Sequence, residues 1–426
     1  MIHLRHCLSI LKLQKKSRNN KQKGNALHFP FVSGILYSMK KSKIKFLILL
    51  TVFLDIIGLG IIIPVLPFYV QSFGAHDIVV TLLFTVYALL SFFSAPLLGS
   101  LSDSYGRRPI LIISIISSAI GWFVFGFAGS IAVLFIGRII DGIAAGNITT
   151  AQSLLADISE TPTERSANMG LVGAMFGIGF IIGPVIGGYL GGFGTTVPFY
   201  FVGTVSAINA VLAYLWLPET HTPTRLAFTW KKMNPFTPII DGFRTDTMRS
   251  LFGLWFLFGV GIAIQQSIFA LYVARVFHMT AQNIGLFFGL VGILLLINQM
   301  VFMKRIWLRY FSSRILTIMM LGLFTVGMFA MATPILAVFI IGVVCATLSQ
   351  GTLRGVLGGS IAGNNPDKRG EYLGISNAIM SLSMVVGPLL ATAVYGYHAT
   401  MPFIIAGIIV LVSMVTVRSI KWTSAS

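Results

Sequence analysis

Charge is what this chain has least of. Asp, Glu, Lys and Arg make up 10% of its 426 residues, against roughly 25% in an ordinary soluble domain. That deficit excludes a soluble enzyme, a coiled coil and a disordered protein. Cysteine is almost missing. Cys7 and Cys345 lie far apart and supply neither a disulfide framework nor a metal-ligand cluster. Strict alternation of apolar and polar residues is absent, which argues against an outer-membrane barrel. No Walker A pattern occurs, which argues against ATP hydrolysis. The seven histidines sit in tails or near the ends of apolar runs, so a histidine relay inside a membrane is not expected. Nor is there an apolar h-region with a small-residue cleavage site, as a secretory signal would need.

What is there is apolar. Hydrophobic residues are 56% of the chain and the mean hydropathy is +0.88. A membrane-spanning helix needs about 20 apolar residues, and runs of that size recur along nearly the whole chain. The reading is an all-α polytopic membrane protein with 12 spans, starting near residues 46, 78, 108, 131, 166, 196, 250, 283, 313, 335, 370 and 400. The net charge of +18 would point to nucleic acid in a soluble protein; here its distribution says otherwise. Of 30 Lys and Arg, 27 fall in the N-terminal tail, the even-numbered loops and the C-terminal tail. The odd-numbered loops hold only Arg275, and Arg138 and Arg354 lie inside spans. Positive charge concentrates on the cytoplasmic side, so both termini are expected there. Met39-Lys40-Lys41-Ser42-Lys43 reads like a start ahead of the first span. Residues 1–38 read as a disordered or misassigned extension, an anionic-lipid-binding tail or a transit peptide.

The chain repeats itself. Pro162, Arg165, Gly170, Gly183 and Pro184 return as Pro366, Arg369, Gly374, Gly387 and Pro388, each 204 residues later. Two homologous six-helix halves account for this. The expected organisation is a basic tail (1–45), a first half (46–217), a cytoplasmic linker (218–248), a second half (249–418) and a short tail (419–426). Pro218, Pro223, Pro235 and Pro238 mark the linker. Paired six-helix halves with a site between them describe a secondary transporter.

Four sets of residues carry the chemistry. The second loop reads Gly99-Ser100-Leu101-Ser102-Asp103-Ser104-Tyr105-Gly106-Arg107-Arg108, a tight turn with opposite charges placed to lock neighbouring helices. The fifth span holds Gly179, Gly183, Pro184, Gly187 and Gly188. Small residues four apart let helix backbones approach, and the proline removes a backbone bond. Asp55 stands ten residues past Lys45. At 1.5 Å per residue that is about 15 Å in, near the bilayer midplane. An acid there is costly and by default functional: it carries a proton, holds a cationic substrate, or is a neutral hydrogen-bonded residue that orients helices. Arg138 and Asp141 share a face at i and i+3, again near mid-membrane. They form either a proton relay, in which protonated Asp141 frees Arg138, or a permanent structural pair. Thr149 and Gln152 continue that face, whereas Asn147 falls nearly opposite Arg138. Gln152, Gln265, Gln266, Asn298 and Gln299 are candidates to line a cavity, with interhelical hydrogen bonding as the alternative. Arg354 lies near the cytoplasmic end of the tenth span, where it can snorkel. Trp255, Phe256, Phe258, Phe269 and Tyr272 suit a broad apolar pocket or lipid-facing packing.

These residues resemble the major facilitator superfamily. The second loop resembles its motif A, G-x-L-x-D-x-x-G-R-[RK]. The resemblance implies that Asp103 gates by contacting the start of the eleventh helix, and that Arg107 reaches an acid at the inner end of the fourth, where Asp157 stands. The equivalent turn around Arg309 to Arg314 lacks the Asp and Gly. The fifth span resembles motif C, G-x-x-x-G-P-x-x-G-G, the mark of the antiporter branch. Gly137-Arg138 resembles the start of motif B. Taken together, Phe46 to Val417 is similar to the drug:proton antiporters, and within them to the tetracycline-efflux type. Two departures matter. Those exporters carry an acid in the third span, where this chain reads Ala119-Ile120-Gly121-Trp122. They carry another in the ninth, where it reads Gly322-Leu323-Phe324-Thr325. Fold and export remain expected; tetracycline as the substrate is not.

The expectation is a non-enzymatic secondary transporter of the bacterial inner membrane. It exports drugs or other small amphipathic molecules in exchange for protons, as a monomer, with no cofactor, metal or nucleic acid. The runner-up is a proton-coupled sugar or amino-acid transporter. A receptor or scaffold on a transporter fold is the remaining rival, and the midplane acids argue against it.

Overall fold

The computed structural model describes residues 30–220, 234–244, 248–363, 369–417 and 420. The extension 1–29, the middle of the linker with Pro223, Pro366 of the repeat and most of the tail 419–426 lie outside the described residues. By its contacts the chain divides at Phe46.

Every regular element among the described residues is helical. The helices are α1 (Pro30–Ser72), α2 (Ile78–Tyr105), α3 (Arg107–Gly126), α4 (Ile131–Ile143), α5 (Asn147–Asp157), α6 (Pro162–Gly191), α7 (Val197–Trp216), α8 (Phe236–Arg244), α9 (Arg249–Val276), α10 (Ala281–Ile297), α11 (Ser313–Met331), α12 (Leu336–Gly363), α13 (Arg369–Tyr395) and α14 (Met401–Val417). In a bilayer the backbone must satisfy its own hydrogen bonds, which leaves helices as the spanning element for such sequences. Counting α4 and α5 as one span, eleven are long and apolar enough to cross a membrane. α14, at 17 residues, is the shorter twelfth, at the lower end of spanning length. Many exposed side chains are large and apolar, Leu290, Tyr214 and Val415 among them, as a lipid-facing surface requires. Polar caps set the turns between spans. Thr161 accepts from the Glu164 N–H at 3.1 Å, ahead of Pro162 at the first helical position. Thr280 and Ser312 do the same for Asn283 and Ile315.

Two spans depart from a plain α-helix. The fourth is interrupted at residues 144–146, between α4 and α5. Ser94 of α2 donates to the Gly142 carbonyl at 2.8 Å, giving an oxygen next to the break a partner. The eighth continues from α10 into a π-helical stretch, Asn298–Trp307. Such wide turns occur disproportionately at functional sites.

The sequence repeat has a structural counterpart. α6 lies so close to α1 that a Cβ on Gly183 would stand 3.0 Å from the Gly60 Cα. A Cβ on Gly387 of α13 would stand 2.4 Å from the Ala263 Cβ of α9. The repeat partners Gly170 and Gly374 both face open space. Helices α2, α3, α4 and α7 pack together, as do α9, α11, α12, α13 and α14. Between the two sides, α6 packs against α10, and α2 packs against α13 and α9.

Candidate functional site

The break in the fourth span builds the first polar cluster. Asn147, freed from the face that an unbroken helix would assign it, opens α5 and donates to Asp55 of α1 at 2.8 Å. Asp141 of α4 uses both oxygens. Oδ1 accepts from Ser118 of α3 at 2.8 Å, and Oδ2 stands 3.4 Å from Arg138 Nη1. Arg138 is 3% exposed and Asp141 5%, so neither is held by water. The guanidinium carbon lies 4.4 Å from the centre of the Trp122 ring and 4.6 Å from that of Phe125. A cation at a helix centre costs about 2.5–3.5 kcal/mol on insertion scales. Desolvated ring contacts of about 2 kcal/mol each are of the size to offset it. Arg138 Nε and Asn147 Oδ1 are buried with no hydrogen-bond partner among the described residues. The cluster is therefore incompletely paired, and one proton added to Asp141 removes the charge that holds Arg138.

The second cluster closes one end of α2. Arg107 meets Asp103 one turn back and places Nε 3.1 Å from Asp157 Oδ2. It also donates to Ser102 Oγ at 2.9 Å. Asp103 keeps half of its side-chain surface exposed. The start of the eleventh span, which the resemblance would bring to Asp103, lies outside the described residues in part, and its first side chains are likewise undescribed. A residue outside the motif completes this turn. Glu219, read above as part of a linker, accepts from the backbone N–H groups of Arg107 and Arg108 at 3.0 and 3.1 Å. A carboxylate at a helix N-terminus is favourable in both charge and hydrogen bonding. It also accounts for Gly106. The backbone there has φ +105°, and a Cβ would stand 2.5 Å from Glu219 Oε2. Arg108 donates to the Tyr214 carbonyl at 2.6 Å. Gly99 faces open space.

The glycines of the fifth span divide between two neighbours. Gly179, Gly183 and Gly187 face α1, and a Cβ on Gly187 would stand 2.3 Å from the Ile61 carbonyl. Gly188 faces the other group of helices, where a Cβ would stand 2.9 Å from the Gly285 Cα of α10. α6 with Pro184 is thus clamped between both groups. At the end of α2 remote from Arg107, further contacts join them. Arg275 of α9 forms a two-pronged pair with Asp77, which also accepts from Tyr395 of α13 at 3.3 Å. Thr81 and Thr392 hydrogen-bond nearby.

A cavity of about 350 Å³ opens between α6, α9, α10 and α12. Gln265, Gln266 and Gln299 line it, with Gln350, Phe180 and Phe269. Gln350 donates to Gln265, and Gln299 donates to the Gly351 carbonyl at 2.6 Å. Two expected lining residues are not there. Asn298 turns to α12, donating to the Leu348 carbonyl and to Thr352 and accepting from Trp307. Gln152 stands on α5, which contributes nothing to the cavity. Of the aromatic set only Phe269 reaches it. Trp255 donates to the Ser376 carbonyl and Tyr272 to that of Thr333, holding both in helix contacts.

Residues 48–356 and 251–425 match the profile described as Major Facilitator Superfamily. The chain belongs to the major facilitator superfamily. It is thus a multi-pass membrane transporter of small molecules and not an enzyme. Within the superfamily it is similar to the class C tetracycline resistance protein of Escherichia coli, 27% identical over 399 residues, covering 91% of this chain and 100% of the relative. Multidrug resistance protein 2 of Bacillus subtilis is 26% identical, with 88% and 95% covered. The quinolone resistance protein NorA of Staphylococcus aureus is 25% identical, with 85% and 92% covered. Among solved structures, the nucleoside transporter NupG superposes with a TM-score of 0.72 at 14% identity, over 89% of this chain and all of that one. The human organic anion transporter MFSD10 gives 0.67 at 21%, over 88% and 99%.

Several residues of this major facilitator escaped the sequence reading. Ser118, Trp122 and Phe125 surround Arg138 and Asp141, but only packing of α3 on α4 brings them there. Glu219 had a signal, since it follows the last residues of the first half directly. Asp77 and Tyr395 had none beyond the isolated position of Arg275.

Proposed function

We propose that this protein exports drugs or other small amphipathic molecules across the bacterial inner membrane in exchange for protons, with both termini in the cytoplasm. Residues 46–217 and 249–418 are the two bodies that rock in alternating access. The observation that carries the reading is the buried Arg138–Asp141 pair, with Arg138 Nε left unpartnered among the described residues, beside a half-buried Asp55 held by Asn147. A transporter that needs only a packed frame has no use for two carboxylates at that depth. Protonation of Asp141 releases Arg138, which can then re-pair within the cluster, and the changed cluster biases the two bodies. Asp55, tied to α5 through Asn147, senses the same break in the fourth span.

The gating roles follow from the ends of α2. On the motif A side, Asp103, Arg107 and Asp157 hold α2, α3 and α5 together as the inner gate. The opposite end, with Asp77, Arg275 and Tyr395 engaged across the two bodies, is the outer gate in its closed state. Gly183, Gly187 and Gly188 keep α6 in backbone contact with both bodies, as an antiporter's central helix requires. The drug-resistance names of the relatives support export over uptake.

The test is growth of an efflux-deficient bacterium expressing the chain, challenged with tetracyclines, chloramphenicol, fluoroquinolones and cationic dyes. An Asp55→Asn variant present at equal level is the control. Raised resistance to at least one compound, lost in the variant and lost when a protonophore collapses the gradient, is the expected result. No protection by a membrane-inserted protein would sink drug export, and metabolite uptake assays would follow.

A further inference from the structure

Among the described residues, Arg354 is the only charged one that lines the cavity between α6, α9, α10 and α12. It stands one turn beyond Gln350 on α12, on the stripe that also carries Val343 and Thr347 into the cavity. Its side chain is exposed, and among the described residues no carboxylate pairs with it. The rest of the lining is neutral. The amides of Gln265, Gln350 and Gln299 are engaged with each other or with backbone. Phe180, Phe269 and Phe288 present ring surface, the last two in edge contact at 4.9 Å. Asp55, Arg138 and Asp141 contribute nothing to this lining, so the acids of the first half do not neutralise the cavity.

The guanidinium has no carboxylate partner among the described residues, and its planar fork matches a carboxylate with two parallel hydrogen bonds. We infer that this cavity receives an aromatic amphiphile carrying an anionic group, with Arg354 holding the carboxylate or acidic enolate and the phenylalanines holding the ring. The inference rests on the transport reading and assigns that transporter its substrate charge. It places charge recognition of the substrate in the second body, apart from proton chemistry in the first. The cavity volume lies at the lower end of the range for small-molecule sites, which suits one or two fused rings.

The test uses the full chain in nanodiscs of neutral lipid. Binding of 2-naphthoic acid and of nalidixic acid is compared with that of their methyl esters by calorimetry. Wild type is expected to bind each acid about tenfold or more tightly than its ester, the size of a hydrogen-bonded charge contact. Arg354→Gln should erase the difference and leave the ester affinity unchanged. Arg354→Lys, which keeps the charge and can snorkel equally well, should retain only part of it. Equal binding of acid and ester by wild type overturns the inference. So does binding of neither acid, or an Arg354→Gln protein that folds normally and weakens acid and ester alike. The resistance assay separates the two readings. Export of a cationic dye without any acid preference leaves the transport reading and removes this one. An acid preference dependent on Arg354 in a chain that exports nothing removes transport and keeps the anion site.

Discussion

The third and fourth spans of the first body and the ninth and tenth of the second are built on the same crossing. A Cβ on Gly121 would stand 3.0 Å from the Gly137 carbonyl and 3.0 Å from the Asp141 nitrogen. A Cβ on Gly327 would stand 2.8 Å from the Gly342 carbonyl and 3.0 Å from the Ala346 nitrogen. Gly137 therefore corresponds to Gly342 and Asp141 to Ala346, and the neighbours follow in step. Arg138 corresponds to Val343, and Ser118 to the fully buried Phe324. One backbone frame, used twice, carries an ion pair with its hydroxyl partner in one copy and packed apolar side chains in the other. The crossing itself needs no charge. The charge in the first body must then serve something other than packing, whereas Arg354 of the second body lines a cavity.

The sharpest way to break this comparison is to give the first body the residues of the second. The double variant Arg138→Val with Asp141→Ala should abolish transport, measured as substrate flux in everted vesicles. Its thermal unfolding should stay near or above wild type, because replacing a buried pair by apolar residues is often neutral or stabilising by about 1–4 kcal/mol. Arg138→Val alone should destabilise by about 3–5 kcal/mol, since it strands a buried carboxylate. A double variant that still transports would return the pair to a structural role.

The glycine contacts give the next effect. Gly187→Ala forces a Cβ against the Ile61 backbone, and overpacking of that kind costs about 1–3 kcal/mol. Gly374→Ala, which meets open space, should leave unfolding temperature and transport unchanged. Equal loss in both would mean that the helix contact is not the constraint. Gly106→Ala pairs a disfavoured φ with a clash against Glu219; its expected cost is about 1–3 kcal/mol, with loss of transport. Measured against Glu219→Ala alone, which has already lost the cap on α3, Gly106→Ala should cost only the part due to φ. The smallest effect is expected at the other end of α2. Arg275 keeps 46% of its side-chain surface exposed, so the Arg275–Asp77 pair is worth about 1 kcal/mol or less. Arg275→Gln should raise the rate at which a Thr392→Cys variant is labelled from outside by a few-fold, without changing protein level.

The spans and the repeat were legible because hydropathy and spacing are local properties. Gly183 signalled a close helix contact through its spacing, and the repeat pointed from it to Gly387. Where the reading went wrong, it had assumed an unbroken helix. Asn147 was set opposite Arg138 on a 3.6-residue period. The interruption at residues 144–146, foreshadowed only by Gly146, gives it a different direction and brings it to Asp55. Asn298 carried two readings, cavity lining and interhelical hydrogen bonding, and its amide is engaged with α12 where the π-helical stretch starts. Glu219 looked like linker charge until the turn of α2 into α3 brought two bare N–H groups to it.

By itself the sequence determined the membrane class, the number of spans, the twofold plan and the residues too costly to bury without purpose. Each of these follows from composition, period or charge counted along one strand of chain. Only the tertiary structure decided which partners those residues have. Ser118 and Trp122 come to the Arg138 and Asp141 pair, Asn147 to Asp55, Glu219 to the turn at Gly106, and Arg354 to the wall of an otherwise neutral cavity. Those choices depend on helix crossings and on one helix break, and neither leaves a periodic mark in the chain.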